Sequence, residues 1–445
     1  MKLQEQDNNI TAQFYRYLWA YILVALSGCL GNVVDGIIVG NLISEDGVSA
    51  INLSKPINQF IFTLHLLINA GAGMLVGYAL GQQNNTLAKR YFTLALTISV
   101  GLGVLLAIFG GMVFPEQTAR MMCNNEQILP LARDYMQVLL IGNPAFILMW
   151  GLSTMVGVNG QPKLVSYAVI IDNALNLFLD IVFIQWLGWG ITGSSAATVV
   201  GHLVGIAILL THWLKPANRR LSYSWKNSGE SMVNSVSSIV KQGAPLAVAS
   251  ISLTLLLLSA NRIVLSTLGQ AGIFAFAVCM NLLQVYNLFI SGTCQTLQSL
   301  GAIQVGKHNV EGLQTVLRKS FRFITIAVII TCLFVWIDPQ IIAAIFGANN
   351  PDYIAETDSA LRIFALSFIP FCYIYVLMIV YKLHGHHHMA LFISFALSLT
   401  VIPVLWIISN TAPSLLWYSY LIAYMIEAVL IFTLHKWQHI RFKLQ

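Results

Sequence analysis

Charged residues are scarce in this sequence, and their scarcity excludes most classes of protein. Only 9% of the 445 residues are Asp, Glu, Lys or Arg, whereas an average soluble domain carries about 25%. Hydrophobic residues make up 57% of the chain, and they recur in runs that reach the ~20 residues a helix needs to cross a bilayer. The runs do not alternate apolar and polar residues, as the strands of a membrane β-barrel do. We therefore predict an all-α polytopic membrane protein.

Signals for disulfides, nucleic acids and catalysis are also lacking. Five of the six cysteines fall in apolar runs and Cys123 stands alone in a polar loop, so no disulfide is expected. The net charge of +6 comes from thinly spread basic residues, which does not indicate binding to nucleic acid. The sequence contains no HExxH, GxSxG or phosphate-loop motif, so neither an enzyme nor a bound cofactor or metal is expected.

Polar breaks divide the chain into twelve predicted transmembrane helices. The longest polar stretch, Leu214 to Gln242, is basic and lies at the middle of the chain. We interpret residues 214–242 as a cytoplasmic linker between an N-terminal six-helix bundle at 1–213 and a C-terminal six-helix bundle at 243–445. The predicted spans lie at about 14–40, 55–80, 91–114, 133–157, 163–187, 190–213, 243–268, 274–303, 320–345, 359–381, 388–409 and 413–435.

The distribution of Lys and Arg predicts the orientation in the membrane. If the N-terminus is cytoplasmic, 18 of the 23 basic residues lie on the cytoplasmic side and 5 on the other side. Cytoplasmic loops of membrane proteins are enriched in Lys and Arg. Because the bias is so strong, and because the number of spans is even, both termini are expected in the cytoplasm.

The two halves of the chain are related by a weak internal repeat. At an offset of about 225 residues, Gly81 falls on Gly306, and the Asn143-Pro144 pair falls on Ile369-Pro370. Each predicted half contains an even number of spans, so both halves enter the membrane from the same side. This pattern predicts a parallel repeat with a pseudo-two-fold axis along the membrane normal, as in many secondary transporters.

Acidic residues inside predicted spans are costly, and their default interpretation is functional. Asp35 and Asp180 are placed at similar depth, with Asn176 one helical turn from Asp180 and Thr198 at the same depth in the next span. Two buried carboxyl groups can share and exchange a proton, and the oxygens of Asn176 and Thr198 would equally help to hold Na⁺. We predict that these four residues form a cation-coupling site.

The C-terminal half lacks this constellation. Asn261 occupies the position that matches Asp35, and the segment Val401 to Leu405, which matches the region of Asp180, is apolar apart from Pro403. The coupling site is therefore expected in the N-terminal half only. Three further intramembrane residues are secondary candidates: Asp172, His202 and Glu427.

Together these features resemble the MATE (multidrug and toxic compound extrusion) family. The resemblance is carried by the twelve spans, the basic linker, the Asp of Val34-Asp35-Gly36 and the Asn176/Asp180 pair. With Thr198, the set resembles the DinF-type prokaryotic branch, because Ala244 to Leu268 lacks the acid that NorM-type relatives carry in span 7. The resemblance implies a monomer in the lipid bilayer of the bacterial inner membrane, built as a V-shaped pair of six-helix bundles.

The resemblance further implies an antiporter that exports small amphiphilic, often cationic drugs and confers antibiotic resistance. We favour H⁺ as the coupling ion, with protonation of Asp35 and Asp180 collapsing the N-terminal cavity during alternating access. A Na⁺-coupled drug antiporter is the first alternative. A flippase for lipid-linked sugars, which should have a strongly basic central cavity, and a channel are the others. The residues that would line a drug pocket are Met149, Met155, Tyr167 and Phe178.

The first span is expected to bend less than its counterpart. The repeat places Pro245 opposite Ala20, and the resemblance implies a proline near this point of span 1. Proline kinks a helix, whereas alanine is the best helix former. We therefore expect span 1 to be close to straight around Ala20, with Gly28, Gly31 and Gly36 left as hinges.

Overall fold

A computed structural model provides the fold. It describes the backbone of residues 2–43, 45–122, 126–224, 231–346 and 350–437. Inside the helices, some side chains lie outside the described residues, among them those of Asp35 and Gly36; the full set is 2–8, 32, 33, 35–37, 39, 40, 45, 46, 48, 345 and 437.

In the part of the first half that the structure describes, the chain folds into nine α-helices. Turns of π-helix at Leu66–Ala70, Ala107–Val113 and Val182–Trp186 prolong the helices that precede them. The bounds are α1 Lys2–Leu42, α2 Glu45–His65, α3 Gly71–Gly81, α4 Asn85–Leu106, α5 Pro115–Met122, α6 Leu129–Ile141, α7 Asn143–Val158, α8 Pro162–Ile181 and α9 Ile191–Leu210.

The second half is also helical. Two 3₁₀ turns, Thr211–Leu214 and Pro216–Arg220, lead from α9 into the linker. The helices that follow are α10 Met232–Thr296, α11 Ala302–Gly306, α12 Val310–Ile337, α13 Pro339–Ile345, α14 Pro351–Leu383, α15 His387–Leu399, α16 Val401–Thr411 and α17 Tyr418–Trp437. The described residues contain no β-strand.

The number of membrane spans agrees with the prediction. Within the described residues, 10 helices are long and apolar enough to cross a membrane, or 11 if α6 and α7, which bend by 50° at their junction, form one span. One of these, Met232–Gly306, has 75 residues, and the non-helical conformation of Gly269 (φ 64°, ψ −150°) divides it. Counting it as two spans gives twelve, and the predicted all-α polytopic fold is confirmed.

The end of one predicted span was displaced by local chemistry. The span predicted at 320–345 runs from Val310 to Ile337, and a separate short helix follows it. The break occurs because Asp338 leaves the helical conformation and its carboxylate accepts hydrogen bonds from the backbone N–H groups of Gln340 and Ile341. This is an N-cap, which starts a new helix.

Contacts divide the chain into two units: Tyr15–Ala244, and Met1–Phe14 with Pro245–Gln445. The boundary at Pro245 lies close to the predicted start of the C-terminal bundle. The first unit includes the start of α10, because two glycines allow it to pack closely: a Cβ on Gly243 would lie 1.9 Å from the carbonyl oxygen of Leu67, and one on Gly71 would lie 2.3 Å from that of Ile239.

Each unit has its own packing. In the first unit, α9 packs against α6, α7 and α8, and α4 packs against α3 and α7. In the second unit, α14 packs against α12, α15 and α17, around aromatic pairs such as Tyr286 with Phe368, whose ring centroids are 4.1 Å apart. The site described next depends on the pair α8 and α9.

Candidate functional site

One face of α8 carries three buried polar side chains, two of which are carboxyl groups. Asp172, Asn176 and Asp180 follow one another at four-residue intervals, so they share one face of the helix. Their exposed fractions are 4%, 8% and 0%. Burial of this many polar groups in a membrane helix requires partners, and the neighbouring helix α9 provides several of them.

Asn176 and Thr198 are in direct contact, one helical turn from the depth of Asp180 at which the sequence analysis placed Thr198. The side-chain N–H of Asn176 donates a hydrogen bond of 3.1 Å to the Thr198 hydroxyl oxygen, and that hydroxyl donates to the carbonyl oxygen of Ser194 at 3.2 Å. The Asn176 amide is therefore oriented by α9. Since α8 and α9 are antiparallel, the same register places Ser194, one turn before Thr198, level with Asp180.

Asp172 and His202 form a direct pair that sequence reasoning missed. His202 Nδ1 lies 2.8 and 3.0 Å from the two carboxylate oxygens of Asp172, and the side chains are 12% and 5% exposed. The ring of Phe146 stands edge-on to the imidazole, with centroids 4.3 Å apart. The signal was present: His202 follows Thr198 by the same four residues by which Asp172 precedes Asn176.

Gly201 allows α8 and α9 to approach closely enough for Asp172 and His202 to form their hydrogen bonds. A Cβ on Gly201 would lie 2.6 Å from Asp172 Oδ1 and 2.9 Å from the Asp172 carbonyl oxygen. One turn further, a Cβ on Gly205 would lie 2.6 Å from the terminal methyl of Met149. No side chain larger than glycine fits at 201 unless α8 and α9 separate.

A methyl group at position 201 is expected to destabilise the first unit. The variant Gly201→Ala forces the Asp172 carboxylate away from His202, and overpacking of this kind typically costs about 1–3 kcal/mol. We expect a clear fall in the unfolding temperature of the purified protein, measured by intrinsic fluorescence. Gly101→Ala is the matched control, because a Cβ there meets nothing within 4 Å. Equal stability of the two variants would contradict the packing described here.

Helix α1 contacts the same helix α8 from another side. The Ser166 hydroxyl donates to the carbonyl oxygen of Ala20 at 2.9 Å, and the Asn173 amide donates to the Ser27 hydroxyl oxygen at 2.9 Å. A Cβ on Gly31 would lie 3.1 Å from Asn173 Oδ1. The two helices are therefore parallel in this region.

The predicted hinge positions differ in their surroundings. Ala20 is buried, and α1 passes through it as one uninterrupted helix. Space is open around Gly28, whereas Gly31 is packed against Asn173. The side chain of Asp35 and the surroundings of Gly36 lie outside the described residues.

The predicted drug-pocket residues lie in different environments. Met149 and Met155 are buried in the core of the first unit, with exposed fractions of 1% and 0%. Tyr167 and Phe178 are on the exposed face of α8, at 61% and 58%. The structure does not bring these four side chains onto one surface.

Glu427 belongs to the second unit. Its side chain on α17 is 0% exposed, and neither carboxylate oxygen has a hydrogen-bond partner in the part of the chain that the structure describes. Over the same residues, no group of three or more His, Cys, Asp or Glu side chains could hold a metal ion.

Two segments of the chain match the model of the MatE family, residues 20–182 and 245–407. The matches begin 225 residues apart, which is the offset of the internal repeat. They leave the linker between them unmatched.

Individual relatives are more distant. The "Probable multidrug resistance protein YoeA" of Bacillus subtilis is 26% identical over 190 residues, 42% of this chain and 41% of the relative. The "FAD transporter" of Shewanella oneidensis is 25% identical over 191 residues, 42% of each chain. The chain spans less than half the length of these curated relatives. A crystal structure of a mutant of the MATE transporter VcmN from Vibrio cholerae superposes with a TM-score of 0.88 at 17% identity, covering 99% of both chains; this similarity shows a common fold.

Proposed function

Because the chain belongs to the MatE family, as its resemblance predicted, we propose that it is a cation-coupled efflux antiporter. It exports amphiphilic, often cationic compounds in exchange for inward H⁺, as in the DinF-type branch. The observation that carries this proposal is the row of buried polar side chains on α8, which includes two carboxyl groups inside a membrane bundle. Intramembrane acids of this kind mark ion and proton pathways in transporters.

The register of α1 against α8 supports a shared carboxyl site. Ala20 contacts Ser166 and Ser27 contacts Asn173, so partners differ by 146 positions in both contacts. Continuing the two parallel helices with this offset places position 35 level with position 181. Asp35 then lies at the depth of Asp180, where two carboxyl groups can hold one proton between them.

Protonation of the Asp35 and Asp180 carboxyl groups provides a physical reason for α1 to move against α8. With both carboxyl groups ionised, mutual repulsion and desolvation disfavour close approach of α1 and α8. A proton arriving from outside removes that repulsion and lets α1 move against α8. Gly28, which has open space around it, is the position where α1 bends most easily. The cavity of the N-terminal bundle then shrinks, and the compound leaves.

Sodium coupling is the second candidate. Asn176 donates through its nitrogen to Thr198, which leaves its carbonyl oxygen available to a cation together with carboxylate oxygen from Asp180. Hard cations prefer such oxygen ligands. Since the same residues serve either ion, the choice requires measurement.

Counterflow in proteoliposomes tests the proposal. Purified protein is reconstituted with ethidium as a lipophilic cationic probe, and either a pH gradient or a Na⁺ gradient is imposed. We expect ethidium movement with the pH gradient alone, and its loss on adding a protonophore. Movement driven only by Na⁺ would support the second candidate. Ion flux without any movement of ethidium would indicate a channel, and translocation of a lipid-linked sugar without a cation gradient would indicate a flippase.

We also propose residence in the bacterial inner membrane with both termini in the cytoplasm. In a cysteine-free variant, Lys307→Cys and Asp352→Cys place single thiols at exposed loop and helix-end positions. A membrane-impermeant maleimide is expected to label Asp352→Cys in intact spheroplasts and Lys307→Cys only after permeabilisation. Labelling of Lys307→Cys in intact spheroplasts would reverse the orientation.

A further inference from the structure

A basic cavity of about 320 Å³ lies within the first unit, where α8 begins and α9 ends. Its volume is in the ~300–1,000 Å³ range of small-molecule sites. Arg16, Lys163 and Lys215 supply three positive charges to its lining, and Leu164 and Tyr167 supply apolar surface. The cavity is distinct from the coupling site, which lies several turns further along α8.

The floor of the cavity is held by buried hydrogen bonds. Asn159 and His212, exposed by 3% and 2%, are joined by a bond of 2.8 Å from the amide nitrogen to Nε2. Arg220 donates to the side-chain oxygen of Asn159 at 2.7 Å, and Asn218 donates to the carbonyl oxygen of His212 at 2.7 Å. These bonds fix the first turn of the linker against the loop that precedes α8.

The charges at the rim have no acidic partner among the residues that the structure describes. None of Arg16, Lys163 and Lys215 makes an ion pair with a described residue, and the described residues that line the cavity include no acid. Arg16 makes one bond of 3.4 Å to the carbonyl oxygen of Gly160, which directs its guanidinium toward the same opening. Three cations around one concave surface favour an anion.

The surroundings indicate that this anion is attached to a lipid. The cavity is at the ends of membrane-spanning helices, on the side of the basic linker. Trp19, one turn from Arg16, is 55% exposed, and Tyr167, one turn from Lys163, is 61% exposed. Exposed Trp and Tyr beside Lys and Arg are typical of the headgroup level of a bilayer, and basic pockets between helices bind anionic headgroups.

We propose that this cavity binds the phosphate headgroup of an anionic phospholipid from the adjoining leaflet. The headgroup phosphate contacts Arg16, Lys163 and Lys215, and the glycerol and first acyl carbons lie against Leu164 and Tyr167. A bound lipid at this point joins the linker turn to the start of α8. The inference requires only that the chain is embedded in a membrane, so it stands independently of the transport activity.

Native mass spectrometry of the detergent-solubilised full chain tests the proposal. Dioleoylphosphatidylglycerol and dioleoylphosphatidylcholine are titrated into wild type and into Lys163→Gln/Lys215→Gln, which leaves the bond of Arg16 intact. Each basic residue near anionic lipid contributes about 1 kcal/mol, so we expect phosphatidylglycerol to bind the double variant on the order of 10- to 30-fold more weakly. Phosphatidylcholine should bind weakly to both proteins.

A matched control removes the same charge elsewhere. Lys307→Gln/Arg318→Gln replaces two exposed cations on the same predicted side of the membrane and should bind phosphatidylglycerol like wild type. Unchanged binding in Lys163→Gln/Lys215→Gln, or equal loss in the control, would overturn the proposal. Inorganic phosphate is added as a soluble competitor, and displacement of the lipid by equimolar phosphate would assign the cavity to a soluble anion instead. Unfolding temperatures without lipid verify that both variants are folded.

Discussion

Efflux of ethidium in proteoliposomes is expected to fall to background when Asp35 or Asp180 is replaced by asparagine. Asparagine keeps the size and most of the hydrogen-bonding capacity of aspartate but cannot take up or release a proton at physiological pH. Asp180 is 0% exposed, and in the proposed site Asp35 lies at its level. Loss of either carboxyl group leaves the second without the neighbour that allows the pair to share a proton.

Glu427→Gln is the matched control for this prediction. Glu427 and Asp180 are both 0% exposed and both lie in apolar helices, so the two substitutions remove equally buried carboxyl groups. The second half of the chain carries Asn261 at the position that matches Asp35, and we therefore expect Glu427→Gln to retain most of the wild-type efflux. Wild-type efflux by Asp35→Asn would refute the coupling site. Equal loss in Glu427→Gln and Asp180→Asn would place a second coupling site in the C-terminal half.

The measurement must separate coupling from folding. Each variant is compared with wild type by its yield of monodisperse protein and by its unfolding temperature before reconstitution. Ethidium binding to the purified protein is measured in parallel, because a coupling residue affects movement of the compound more than its binding. A variant that binds ethidium and is folded, but does not transport, has lost coupling.

The sequence predicted the membrane architecture well because a bilayer has a fixed thickness. Runs of about 20 apolar residues are long enough to span it, so the spans could be counted without knowledge of tertiary contacts. The effect of single polar residues on the ends of helices was harder to predict from the sequence. The Asp338 cap ended α12 early, whereas the break at Gly269 falls in the gap predicted between the spans at 243–268 and 274–303. The early end of α12 depends on one side chain, whose carboxylate accepts from backbone N–H groups two and three residues further on, and hydropathy alone does not show it.

Helical periodicity also predicted part of the candidate site. Residues four apart lie on one face, so Asn176 and Asp180 could be placed together. Thr198 was predicted at the depth of Asp180, whereas the structure places it opposite Asn176, one turn away. The pairing of Asp172 with His202 required the register of α8 against α9, which Gly201 determines by permitting close approach. The basic cavity could not be predicted at all, because it depends on how the linker turn folds back onto the loop before α8.

Replacing both members of the Asp172–His202 pair is expected to preserve the fold but to abolish most transport. The pair lies one helical turn from Asn176 and Thr198 and two turns from Asp180, a step of about 5.4 Å per turn. An imidazole bonded to a buried carboxylate can accept a proton from one side and release it to the other. We interpret the pair as the group that next accepts a proton released by Asp180.

The single variants alone do not distinguish this role from a structural one. His202→Phe leaves a buried carboxyl group without its donor, and such an unsatisfied group typically costs about 1–3 kcal/mol. Asp172→Leu leaves the imidazole N–H without an acceptor and is expected to cost a similar amount. Both single variants should therefore lose stability and efflux together, whichever role the pair has.

The double variant Asp172→Leu/His202→Phe separates the two roles. Apolar side chains of similar shape replace both partners, and such replacement of a buried pair is often neutral or stabilising. The phenyl ring introduced at position 202 would pack near Phe146, whose ring already contacts the imidazole. We expect the unfolding temperature to return to that of wild type while proton-driven efflux stays at least tenfold lower, a barrier difference of about 1.4 kcal/mol. Recovery of efflux together with stability would show that the pair only holds α8 against α9.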